Sequence, residues 1–199
     1  MKFKNIITSS LLILTLLCAG SAVAEDWFWG LTYETAVPTG DVKEFCDDGW
    51  SWRGIGFEGR TWLNRNVSAG FATSWNVFHV ETDWVTQSEP GLDVTSKQFR
   101  DVNSVPLYVN SHYYMGDPYE TRFYLGLNAG AMYSERRADV GSYTFKEDNW
   151  MFSVAPEIGV QLPYTSFLGY LSVRWNYGFA AGSFEETSYF SFRFGVGLR

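Results

Sequence analysis

The sequence predicts an all-β fold, an eight-stranded antiparallel up-and-down barrel that crosses a membrane. Three observations carry that reading. Apolar residues alternate with small or polar ones, period two, in segment after segment. Eight such segments can be drawn, most of them near the ~9–11 residues a tilted strand needs to span a bilayer. The connections alternate short and long, the pattern of a barrel with tight turns on one side of a membrane and loops on the other.

Composition agrees. The 199 residues include 9 Trp, 12 Tyr and 16 Phe, too aromatic a chain to stay disordered, and 19 Gly, while only 19% are charged. That mixture favours strands and tight turns over helices. Residues 1–24 read as a secretory signal peptide. Lys2 and Lys4 precede an apolar run over residues 6–18, and Ala22-Val23-Ala24 supplies the small-residue cleavage pattern. The run is shorter than the ~20 apolar residues of a membrane anchor, and Leu17 before Cys18 argues against a lipoprotein signal. Residues 25–199 then form the barrel domain. Cleavage removes two lysines and no acid, so a net charge of −7 becomes −9, which excludes a nucleic-acid partner. Cys46 is the one cysteine left, so no intramolecular disulfide forms, and it reads as a bystander loop residue.

The strands follow in order. Residues 27–37 set Trp27, Trp29, Leu31 and Tyr33 against Gly30, Thr32 and Glu34. Residues 54–62 set Ile55 and Phe57 against Glu58 and Arg60, and residues 67–77 set Val67, Phe71, Trp75 and Val77 against Ser68, Gly70, Ser74 and Asn76. Residues 105–113 set Val105, Leu107 and Val109 against Tyr108, Asn110 and His112. Residues 123–133 set Phe123, Leu125 and Leu127 against Tyr124, Gly126, Asn128 and Gly130. Residues 150–162 set Trp150, Phe152, Val154, Ile158 and Val160 against Ser153, Glu157, Gly159 and Gln161. The seventh strand sets Leu171, Val173, Trp175 and Tyr177 against Tyr170, Ser172, Arg174 and Asn176; the last sets Phe190, Phe192, Phe194, Val196 and Leu198 against Ser191, Arg193, Gly195 and Gly197. Long loops are expected over residues 38–51, 82–100 and 136–149 and a medium one over 181–187, with short turns at 64–66, 116–118 and 163–166.

A soluble barrel would bury its apolar face. Here that face carries too much Trp and Phe for a narrow interior, while the other face is rich in Gly and Ser, which suits a lumen that side chains fill. The apolar face therefore points outwards. Glu34, Glu58, Arg60, Glu157, Arg174 and Arg193 then point inwards, three acids against three bases, a self-neutralising lumen network. Trp50, Trp52, Trp84, Phe99 and Trp150 fall near the long-loop side, and Trp27, Trp62, Tyr119 and Phe167 near the short-turn side, as two interfacial rings would. Pro106 and Pro156 interrupt strands; a position just above the membrane is expected for Pro106 and a bulge at Pro156.

The chain resembles the small outer-membrane β-barrel proteins, the OmpA-, OmpX- and OmpW-like group. The likeness rests on Pro38-Thr39-Gly40-Asp41 closing the first strand, on the hairpin SWRGIGFEGRTWLNRNVSAGFATSWNVF over residues 51–78, and on the last strand YFSFRFGVGLR. It spans the mature chain, and its motifs specify architecture rather than activity. It implies an integral outer-membrane location with periplasmic termini and extracellular long loops. It also implies a monomer among outer-membrane lipid and lipopolysaccharide, inserted by the barrel-assembly machinery. Such barrels often end in an aromatic residue, whereas this chain ends in Leu198-Arg199.

Chemistry-bearing motifs are sparse. Residues 54–59, GIGFEG, match a dinucleotide fingerprint by letter, but no helix follows and the run alternates like a strand. Ser111 and His112 are neighbours on one strand and so face opposite ways. Asp41, Glu44, Asp47 and Asp48 could hold a hard cation but lack the spacing of a calcium loop and read as a solvated acidic loop. No catalytic, cofactor or metal residue is assigned. The expected function is a non-catalytic integral barrel with a structural or surface-contact role. The alternatives are a narrow conduit for small hydrophobic molecules, as in OmpW-like barrels, and a lipid-modifying enzyme.

Overall fold

The computed structural model describes residues 27–46, 49–89, 92–140, 143–164, 167–182 and 184–198. The expected signal peptide lies outside these residues, as do Asp47 and Asp48. Eight strands make one closed antiparallel barrel in sequence order: β1 (Trp27–Thr39), β2 (Ser51–Trp62), β3 (Val67–Glu89), β4 (Leu92–Met115), β5 (Arg122–Val140), β6 (Tyr143–Pro163), β7 (Leu168–Gly178) and β8 (Thr187–Leu198). Closure runs β1 against β8, from Trp29 opposite Leu198 to Thr39 opposite Ser188.

The predicted alternation holds along the wall. Leu31, Ile55, Val109, Phe123, Leu127 and Val196 are exposed outside, while Thr32, Glu58, Asn110, Tyr124, Asn128 and Arg193 are buried inside. An exterior this apolar on every strand is stable only against lipid. Tyr33, Trp50, Trp52, Trp75, Trp150 and Trp175 ring the wall towards the long-loop end. Trp62 departs from the expected ring: it sits at an inward position and packs, tilted, against Tyr114 with centroids 4.7 Å apart.

Two expected loops are strands. β3 and β4 run to Glu89 and Leu92, which pair with each other, and β5 and β6 run to Val140 and Tyr143, which also pair. These strands hold 23, 24, 19 and 21 residues, against 11–13 in the other four. β4 and β5 stay paired up to Gln98 opposite Val140, so the overrun is one four-stranded sheet. An overrun of roughly ten residues at ~3.3 Å each carries it about 30 Å along the strand direction. Apolar alternation marks a strand only where lipid touches it; above the membrane the same hydrogen-bonded ladder accepts polar residues on both faces.

The first long loop is not featureless either. Residues Gly40–Cys46 form a short helix, α1, entered through Gly40 at φ 54°, in the left-handed region that favours glycine. Val42, Phe45 and Cys46 share its inner face. Val42 and Cys46 are fully buried with Phe78, Val102, Met132, Met151, Phe184 and Tyr189, and Phe45 packs against them. Cys46 is therefore part of an apolar cap on the barrel, not a bystander, and burial pushes its thiol pKa up to about 12.

Neither proline makes a bulge. Pro156 keeps register with Leu127 of β5, and on the β7 side the pairs Val154–Tyr177 and Glu157–Arg174 share one register. Pro106 does the same: it pairs with Met132, while the β3 pairs on either side stay in phase. Pro106 faces the interior of the barrel. A proline lacks the one donor that would point to one neighbour strand, so the ladder loses a rung on that side and needs no inserted residue.

The charged lumen as the candidate functional site

The inward face of each strand meets the others across a narrow interior, so charges placed there by alternation must find each other. Glu34 comes from β1, Glu58 and Arg60 from β2, Glu157 from β6, Arg174 from β7 and Arg193 from β8. All six are buried, none more than 4% exposed. Arg193 is the hub. Its Nε lies 2.8 Å from Glu34, its Nη2 3.0 Å from Glu58 and its Nη1 2.9 Å from Glu157. Arg174 grips Glu157 with Nη2 at 2.7 Å and Nε at 2.9 Å, and Arg60 reaches Glu58 at 2.8 Å. The six residues form one connected network.

Neutral groups complete it. Asn76 donates to Glu34 at 3.1 Å, and Thr32 does so at 3.2 Å. Tyr124 donates to Glu157 at 2.9 Å, and Tyr114 accepts from Arg60 at 2.7 Å. The ring of Tyr170 lies under the guanidinium of Arg60 at 5.4 Å and that of Arg193 at 6.0 Å. His112 is buried beside Glu157, with Nε2 at 3.7 Å. Several of these positions were on the inward face in the sequence. Counting only formal charges hid them, because a carboxylate in a confined interior needs donors as much as counter-charges. Space also had to be made. A Cβ at Gly54 or Gly56 would run into Glu34, so the residues that mimic a dinucleotide fingerprint are the clearance for a buried carboxylate on a strand.

Below the network, at the short-turn end, the guanidinium of Arg122 lies against two neighbouring rings, Tyr114 at 4.2 Å and Trp62 at 4.5 Å, and Phe28, Leu168 and Tyr170 pack nearby. Above it lies the apolar cap with α1. The interior is thus layered: aromatic, charged, apolar. Ser111 hydrogen-bonds the Ser68 carbonyl on the outer side while His112 faces inwards, so the two do not form a dyad. Asp41 and Glu44 lie on α1, and among the described residues no group of three or more metal-binding side chains comes together.

No family model and no curated protein matches the sequence. Solved structures do resemble it. Neisserial surface protein A aligns with a TM-score of 0.59 at 10% identity, over 86% of this chain and 96% of that one. Ail, the attachment invasion locus protein of Yersinia pestis, solved with the heparin analogue sucrose octasulfate, aligns with a TM-score of 0.52 at 15% identity over the same shares. At these identities the likeness concerns the fold alone, and on that ground the chain has the eight-stranded up-and-down barrel architecture of small outer-membrane proteins.

Proposed function

We propose that this chain is a non-catalytic integral outer-membrane barrel that makes contacts at the cell surface through its projecting sheet. The observation that carries the reading is the overrun of β3 to β6 into a four-stranded sheet on a barrel whose lumen is filled by paired charges. A filled lumen leaves the wall as an anchor. The projecting sheet then has the reach, and along β3 beyond Val77 it has backbone no longer paired to β2, which can bind an extended segment of a partner. The short turns and both termini face the periplasm, and α1 and the sheet face outwards, in the usual sense of such barrels. Lipid and lipopolysaccharide surround the apolar wall, the barrel-assembly machinery inserts it, and it works as a monomer. Sharing a fold with an attachment protein is compatible with this role and does not name the partner.

The test is a shortened hairpin. Thr82 pairs with Gln98; joining them through an Asn-Gly turn, in place of residues 83–97, removes the tip and keeps the wall. The shortened protein is expected in the outer membrane with its folded and boiled gel bands still distinct, while cells bearing it lose binding to host-cell or matrix surfaces that the full chain supports. Undiminished binding would overturn the contact reading. Recovery of the full chain as a soluble periplasmic protein would overturn the membrane assignment.

A further inference from the structure

The projecting sheet has a second free margin, along β6. That strand pairs with β7 only as far as Ser153 opposite Gly178. Beyond that pair, the Phe179 N–H reaches the Phe152 carbonyl and the Asn149 amide reaches the Ala181 carbonyl. From Thr144 to Asp148 the strand keeps β5 on one side and has no paired strand on the other. Alternate residues there aim their backbone N–H and C=O groups sideways, a template for one more strand. The margin is acidic on both faces. Phe145, 64% exposed, and Glu147 share the face over the barrel mouth. Arg136 stands opposite Glu147 but is turned to Glu185 at 3.2 Å and to the Glu186 carbonyl at 2.8 Å, so Glu147 has no ion pair among the described residues. On the other face Asp148 stands opposite Glu135, and Lys146 goes to Glu135 at 3.0 Å. The excess belongs to this whole end. Among residues whose side chains are described, ten acids stand against five bases on α1, the projecting sheet and residues 184–186. The lumen is balanced, and the short turns set Asp117 and Glu120 against Arg65 and Arg122. Asp41 on α1 registers the excess: burial first, then Glu185 and Glu186, raise its carboxyl pKa.

We propose that the β6 margin binds an extended basic segment of a partner protein, added as a fifth strand, with lysine or arginine against Glu147 and Asp148 and an apolar residue against Phe145. The inference rests on the reading of the projecting sheet as a contact surface and names the chemistry of its partner. In such strand addition the main-chain bonds supply affinity and the side chains supply choice. Charges on an open edge keep it from pairing with copies of itself: a second copy of β6 would set like carboxylates side by side, which is unfavourable. The same charges admit a segment of opposite sign.

The barrel in nanodiscs of phosphatidylcholine, a lipid without net charge, is used to select from a random heptapeptide library displayed on phage, after depletion on empty nanodiscs. The selected peptides are expected to be enriched in Lys and Arg. A synthetic copy of one is expected to bind with its dissociation constant raised about tenfold or more by Glu147→Gln combined with Asp148→Asn, exposed changes that leave the gel shift of the folded barrel unaltered. Two further copies are N-methylated on alternate residues, one on the odd positions and one on the even. An added strand bonds along one of its edges, so one copy is expected to lose binding and the other to keep it. Peptides without basic enrichment, binding unchanged in the double variant, or equal binding of the two methylated copies would overturn the proposal. The protein with the shortened β3–β4 hairpin, in which β4 still reaches Gln98 opposite Val140, is expected to bind the peptide as the full chain does. Loss of binding there would place the site on β3 and overturn the β6 assignment. Peptide bound as expected, with cell-surface binding undiminished by the shortening, counts against the role of the β3 tip and supports this site.

Discussion

Strands β3 to β6 pass through two environments, and the same strand changes its composition at the boundary. In the wall, β5 sets Phe123, Leu125 and Leu127 outside against Tyr124, Gly126 and Asn128 inside; further up it carries Glu135, Arg136, Arg137 and Asp139. Ion pairs occur in both regions and mean different things. Arg193 and its three carboxylates are fully enclosed, whereas the His79–Asp101 pair of the projecting sheet has side chains 42% and 27% exposed. Low dielectric makes the enclosed charges dependent on one another; water and salt loosen that dependence outside.

The contrast is broken most directly at its hub. Arg193→Ala leaves Glu34 without its ion-pair partner and takes one guanidinium from Glu58 and from Glu157. It is expected to destabilise the folded barrel by about 3–5 kcal/mol, read from urea unfolding in liposomes. Arg174→Ala, which takes from Glu157 one of its two close arginines, is expected to do less. Loss below 1 kcal/mol at Arg193 would mean that water fills the lumen and that the network does not plug it. The wild-type protein is accordingly expected to show no sustained conductance in a planar bilayer, and steady ion flow would favour the conduit reading.

The outer face of the wall comes next. Val173→Arg places a charge against lipid between Leu171 and Trp175 and is expected to cost roughly 2–4 kcal/mol in the same assay. Arg in place of Thr144, exposed near the tip of the projecting sheet, is expected to change stability by less than about 0.5 kcal/mol. Equal tolerance at the two sites would show that the strand phase is wrong.

What could be read in the sequence follows the same boundary. Where lipid touches one face and a narrow lumen the other, alternation is forced, and strand order, facing and the six lumen charges were all legible. Above the bilayer nothing forces it, so residues 82–100 and 136–149 looked like loops. α1 was hidden for a different reason: seven residues are too few for a helical period to stand out, although Val42, Phe45 and Cys46 stand at i, i+3 and i+4. The missed Trp62 and Arg122 sit where a strand meets a turn, and alternation does not say whether a terminal side chain turns in or out.

Cys46 tests the cap that joins the two regions. Its thiol is buried and its pKa is pushed up to about 12 by that burial, so at pH 8 it is neither accessible nor ionised. A maleimide reagent is expected to leave the folded barrel unlabelled over hours and to label the urea-unfolded chain within minutes, as read by mass spectrometry. Rapid labelling of the folded form would mean that α1 lifts off Phe78 and Val102, and that the apolar layer opens to the outside.

A small effect is also expected at a second site of the projecting sheet, and it completes the comparison because a carboxylate is again held by a basic side chain. His79 and Asp101 face each other on β3 and β4, Nδ1 to Oδ1 at 2.5 Å, with Phe99 stacked on the imidazole at 6.4 Å. By distance alone the pair rivals those of Arg193. Water reaches both side chains, however, so each can exchange its partner for solvent when the other is removed. Asp101→Asn is therefore expected to change stability by about 0.2–1 kcal/mol at low salt and by less at high salt, with no change in the gel shift of the folded barrel. A loss of several kcal/mol would mean that the sheet is as enclosed as the lumen, as it would be if a second molecule covered it. A negligible loss leaves its charges free to meet a partner, as a contact surface requires.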